Sequence, residues 1–161
     1  MIYYGFDEVL YGWSRYFDLC NAFEMRHAHQ GEDAPSLATL NKWRVDSPRG
    51  FAWVLHADPS FVEALVEAYE RNEAAVTDAM REGWRKTQEL AHALAAKAIV
   101  VETPPDFPPS DAARALIRAV GTELAAEAKR VVIWEASGLW TPEEVVDIAV
   151  DAGLTPTVDP F

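Results

Sequence analysis

Cysteine is almost missing from this 161-residue chain, where Cys20 stands alone. A single thiol excludes an internal disulfide and every zinc site built from several cysteines. Set among Phe17, Leu19 and Phe23, it is expected to pack as a small hydrophobe. Positive charge is scarce too. Fourteen Lys and Arg face 26 Asp and Glu, a formal net charge of −12. Phosphate backbones are bound through cationic side chains, so this balance disfavours DNA, RNA and anionic membranes as partners. Long apolar runs are also lacking. Ala98–Val101 is bounded by Lys97 and Glu102 and falls far short of the roughly 20 residues of a spanning helix. The first base, Arg15, comes after Asp7 and Glu8, unlike the basic start of a secretory leader. The expectation is a cytosolic protein with no membrane partner.

Half of the residues are hydrophobic and a quarter are charged. That mixture supports one folded domain over residues 1–161 and argues against disorder. Short β-type runs recur, with helical stretches between most of them. The runs are Ile2–Phe6, Phe17–Met25, Phe51–Ala57, Ala98–Val101, Val131–Trp134 and Leu154–Val158. Helices are expected over Pro35–Trp43 with Ser36 as cap, and from Asp58-Pro59 with the aspartate as cap. Others are expected over Ala74–Ala95 with a kink near Gly83, over Ala112–Ala128, and from Thr141 to Gly153. Thr141-Pro142-Glu143-Glu144 combines a cap, a first-position proline and the Thr-x-x-Glu box. Strand–helix alternation predicts an α/β fold of parallel β/α units. A closed eight-stranded barrel takes about 250 residues. Six strands therefore predict a partial or truncated TIM-type barrel.

Several short patterns follow one another in a telling order. Phe23-Glu24-Met25 is followed by Pro35-Ser36, Thr39-Leu40, Trp43, Pro48 and Phe51. Thr103-Pro104-Pro105-Asp106-Phe107 comes next, then Trp134-Glu135, Gly138-Leu139-Trp140 and Pro142-Glu143-Glu144. In this order they resemble the YecE-like family, domain-of-unknown-function family 72. The resemblance implies a TIM-type barrel of unassigned biochemical role. It also implies that His56 stands where the family carries a lysine, and Arg26 where it carries an asparagine. Of the family's opening motif only Gly5 and Trp13 remain, and the last two strands are missing.

Independently of that likeness, each run from the second to the sixth ends near an ionisable group: Glu24, His56, Glu102, Glu135 and Asp159. Parallel β/α folds build their sites at the carboxyl ends of strands. These five are the candidate catalytic residues, with Arg26 and Trp140 as candidate ligand contacts. Carboxylates with an imidazole suit a divalent metal, or can divide general acid and base roles between them. Ion-pair networks gather acids in the same way, so structural pairing is weighed against chemistry at each position. His27 and His29 follow Glu24 without zinc-motif spacing and are not expected to be ligands. Arg81, Arg85 and Lys86 are expected on a solvated helix face.

An incomplete barrel has two open edges and an uncovered inner face, on which Val54, Val100 and Val132 are expected. Unpaired edges recruit other chains, which predicts a homo-oligomer or a partner subunit. Two functions remain open: a metal-dependent, hydrolase-like enzyme working at the rim, or a non-catalytic scaffold that completes its core with a partner.

Overall fold

The computed structural model describes residues 5–6, 9, 12–26, 28 and 34–157. Six strands form a single sheet in chain order: β1 (Gly5–Phe6), β2 (Ala22–Met25), β3 (Ala52–His56), β4 (Ala98–Thr103), β5 (Val131–Ala136) and β6 (Thr155–Thr157). Every neighbouring pair is parallel. The helices are α1 (Trp13–Leu19), α2 (Leu37–Asp46), α3 (Pro59–Glu70), α4 (Asp78–Leu94), α5 (Asp111–Ala119) and α6 (Pro142–Ala152). This is the arc of a β/α barrel, as the strand–helix alternation predicts.

Strand residues alternate between two faces. Phe23, Met25, Trp53, Leu55, Ile99, Val101, Val132 and Trp134 enter the core shared with the helices. The other parity faces inward along the arc: Val54 pairs with Ala98, His56 with Val100, and Glu102 with Glu135. Val54 and Val100 thus occupy the inner face as expected. Val132 does not, because its odd register relative to Ile133 turns it towards the helices.

Most helix starts obey their local chemistry. Ser36 accepts from Thr39 N at 3.1 Å, and Asp58 accepts from Ser60 N at 2.9 Å with Pro59 in the first turn. Thr141 and Glu144 form the reciprocal capping box. Gly153 closes α6 in the left-handed conformation. Cys20 is buried in the core, and Arg81 and Arg85 pair with Glu123 and Glu82 on the surface.

Three expected elements differ. Residues 17–25 do not form one strand: α1 ends at Leu19 and β2 begins at Ala22. Trp13 packs at 5.1 Å from Phe23 and Trp43, and Tyr16 Oη donates to Ala22 O at 2.7 Å. These contacts outweigh the β preference of the aromatic run. Helix α4 starts at Asp78, where the Thr77 side chain accepts from Met80 N. The stretch after α5 continues as a π-helix (Val120–Ala125) and a 3₁₀ turn (Ala126–Ala128).

Helix α4 also runs through Gly83 without a break. A Cβ on Gly83 would sit 2.6 Å from the Phe61 backbone, so glycine here allows α3 and α4 to touch. Exposed mid-helix glycines gain about 1 kcal/mol on changing to alanine. Here the clash outweighs that gain. Gly83→Ala is expected to lower unfolding free energy by about 1–3 kcal/mol in urea titrations. A stabilised variant would refute the close-packing account.

Candidate functional site

Parallel register brings the ends of β2, β3, β4 and β5 to one rim. Glu24 comes from β2, His56 from β3, Glu102 from β4 and Glu135 from β5. Arg26 follows β2 directly. His56 Nε2 lies 2.7 Å from Glu24 Oε1. A carboxylate only accepts, so the imidazole N–H is the donor. His56 Nδ1 is 3.7 Å from Glu102 Oε2. The Arg26 guanidinium reaches three acids: 2.8 Å to Glu24 Oε1, 3.6 Å to Glu102 Oε2 and 3.9 Å to Glu135 Oε1. The His56 side chain is only 7% exposed, whereas that of Glu102 is 45% exposed. The cluster therefore has a buried floor and a wet rim.

One donor atom each from Glu24, His56 and Glu135 lies within 4.8 Å of the others. That is a three-ligand set of the kind that holds a divalent ion, with an imidazole and two carboxylates. Beside it opens a cleft of about 340 Å³. Arg26, His56, Val100 and Glu102 form its sheet side, and Pro59, Val62 and Glu63 of α3 form the facing wall. Strand periodicity pointed to the sheet side. The wall is not legible from it, because Glu63 reads as one more charge on an amphipathic helix.

Four of the five expected strand-end groups are thus in one place, and Arg26 is among them. Asp159, His27 and His29 lie outside the described residues. Trp140 is not in the cluster. It is buried 5.0 Å from Trp134, with its Nε1 donating to Phe107 O at 2.8 Å. That bond ties together the loops after β4 and β5. Gly138 makes the same junction possible: at φ 87°, a Cβ there would lie 2.5 Å from Pro105 O. The double-proline and Gly-Leu-Trp patterns therefore answer each other across the rim, with packing as their structural role.

The rim and sheet define a partial β/α barrel with a polar cluster at the strand ends. No known family's sequence profile matches the chain, and no curated protein matches it. Among solved structures, a DUF72 family protein from Thermotoga maritima superposes with a TM-score of 0.65 at 15% identity. The match covers 89% of this chain and 52% of the other, so this chain spans about half that protein's length. At that identity the likeness shows a shared fold, in agreement with the resemblance carried by the ordered sequence patterns. Among the described residues, no helix is long and apolar enough to cross a membrane.

Glu24 is held below its usual carboxylate value of 4.5, first by the His56 hydrogen bond and then by the Arg26 charge, against the opposing effect of burial. A carboxylate depressed on folding adds stability above its unfolded value, and that stability is lost as pH falls through the folded value. Glu24→Gln is accordingly expected to be less stable than wild type at pH 7. The gap should narrow once pH drops below about 4.5, the unfolded value. Urea titrations across pH 3–7 read this out, and a gap independent of pH would contradict it.

Proposed function

We propose that this chain is a DUF72-like barrel protein whose strand-end rim is a metal-dependent, hydrolase-like site. The observation that supports this reading is the convergence of Glu24, His56 and Glu135 beside an open cleft. Glu24, His56 and Glu135 would hold a divalent ion, and such an ion supplies a Lewis acid that activates water at neutral pH. For His56 Nε2 to serve as a ligand, it must give up the proton it now donates to Glu24. Glu102, more exposed and within reach of both Arg26 and His56, is placed to accept a proton from a nucleophile in the cleft. Val100 on the sheet side and Pro59 and Val62 on the facing wall give the cleft apolar patches that can exclude water from a substrate.

Thermal unfolding after EDTA treatment tests the metal reading. Free metal at ten times Kd stabilises a binding fold by about 1.4 kcal/mol. In a domain of this size that raises Tm by about 3–6 °C. Millimolar Mn or Zn is expected to produce such a rise in wild type and none in Glu135→Gln. No rise at millimolar metal, either in wild type or in a variant without the Arg26 charge, would end the proposal.

A second reading is favoured by the inner face of the sheet. Val131 is 50% exposed and shares that face with half-buried Val54 and Ile133. β1 and β6 have one neighbouring strand each among the described residues. A scaffold that completes its core with a second copy would bury this surface. Light scattering coupled to size-exclusion chromatography is expected to give a dimer mass in that case, and Val131→Lys to give a monomer. A monomeric wild type across micromolar concentrations would refute the dimer.

A further inference from the structure

We infer that Arg26 is a built-in stand-in for the cation, its guanidinium filling the position a divalent ion would take between Glu24 and Glu135, so that metal enters the rim only by displacing it. This rests on the metal reading of the same site. The Arg26 Nη2 atom lies 2.8 Å from Glu24 Oε1 and 3.9 Å from Glu135 Oε1. Those two residues and His56 are the three whose donor atoms come within 4.8 Å of each other. Donors sharing one ion sit about 2.0–2.2 Å from it, so the ion's centre falls among them, against the Nη2 atom that already contacts Glu24 and lies 3.9 Å from Glu135. A dication there and the guanidinium beside it would repel each other at close range.

Proton loss does not resolve the conflict, because a guanidinium stays charged in proteins. Arg26 has to move, and the fold leaves it room. Its side chain is 35% exposed. It also lines two adjoining hollows: the 340 Å³ cleft and a smaller recess of about 200 Å³ with Trp13, Trp43 and Pro35. In the cleft it would face Glu63, and in the recess it would meet indole faces that attract cations. The exchange is chemically selective. A monovalent ion replaces one charge with another of equal size and forfeits the hydrogen bonds of the planar fork. A divalent ion brings a second charge and direct coordination. Arg26 thereby sets a threshold: the rim loads with a divalent metal only where that metal is abundant or held tightly.

Isothermal titration with Mn tests this at fixed ionic strength, using wild type, Arg26→Ala and Arg26→Ala with methylguanidinium added. Arg26→Ala is expected to bind Mn at least tenfold more tightly than wild type. Methylguanidinium is expected to weaken binding to the variant competitively while leaving wild type unchanged, since only the variant has a vacated pocket. A long-range effect of the lost charge would raise affinity without that competition, and would overturn the inference. Equal Mn affinity in wild type and variant would overturn it too, while leaving the metal reading intact. Binding to neither protein would end the metal reading itself. If Arg26→Ala fails to fold because its acids repel, Arg26→Ala/Glu102→Gln removes one repelling charge and keeps all three ligands. The same outcomes then apply to the double variant.

Discussion

Parallel register is the constraint on which the rest depends. Glu24 pairs with Val54, His56 with Val100, and Glu102 with Glu135. Each pairing keeps residues of one parity on one face. Because all strands run the same way, their carboxyl ends meet at one rim. A slip of one residue in β4 would send Glu102 into the helix-packed core and bring Thr103 to the rim. The penalty for that slip is steep, because Ile99 and Val101 would leave the core at the same time. The geometry of the polar cluster is therefore enforced by apolar packing on the opposite face. Thr103 shows how closely that face is filled: it is fully buried and accepts the Trp134 indole N–H at 3.2 Å.

The same direction of travel sorts charge along the molecule. Helices α2, α3, α5 and α6 each follow a strand and begin near the rim, where their capped N-termini carry partial positive charge. The carboxylates gather at that end. At the other end, where strands start, Lys97 Nζ donates to Gly50 O at 2.8 Å and Arg130 Nε donates to Ala96 O at 3.0 Å. Ala96 follows the C-cap of α4, so Arg130 sits at the C-terminal end of that helix, where a cation is favoured. This sorting is confined to the rim acids and those two bases: α2 and α3 start without an acid in the first turn, and α3 and α6 end without a base in the last.

Much of this was legible in the sequence because the signals are local. Capping at Ser36, Asp58 and Thr141 is set within four residues, and a strand's last side chain follows from its period. The strand-end rule gathered Glu24, His56, Glu102 and Glu135 without any knowledge of distance. What was hidden depends on contacts between distant segments. The aromatic run from Trp13 to Phe17 is helical because Trp43 and Trp53 lie across from it, and nothing within the run reveals that. Gly83 reads as a helix breaker until Phe61 is seen against it. Trp140 reads as an aromatic that either packs or stacks on a ligand, with packing favoured, and only its N–H on Phe107 shows which partner it packs with. Glu63 joins the cleft only because α3 leans over the end of β3.

The balance of charge in the cluster exceeds what a single structural ion pair requires. A structural pairing for Arg26 is complete with one well-placed carboxylate, and Glu24 at 2.8 Å provides it. Glu102 and Glu135 add two further negative charges around the same guanidinium at longer range, and an almost fully buried imidazole stands beside them. Crowding like charges costs free energy unless something compensates, and at this half-exposed rim water lowers that cost without removing it. Folds tolerate such a cost mainly where a site needs it. Three carboxylates and one guanidinium leave an excess of two negative charges. An amide or a hydroxyl at Glu102 or Glu135 would satisfy the sheet equally well and relieve the repulsion. The chain keeps acids at both positions, and Glu102 lines the cleft beside the cluster, so the surplus of negative charge lies where solvent reaches it.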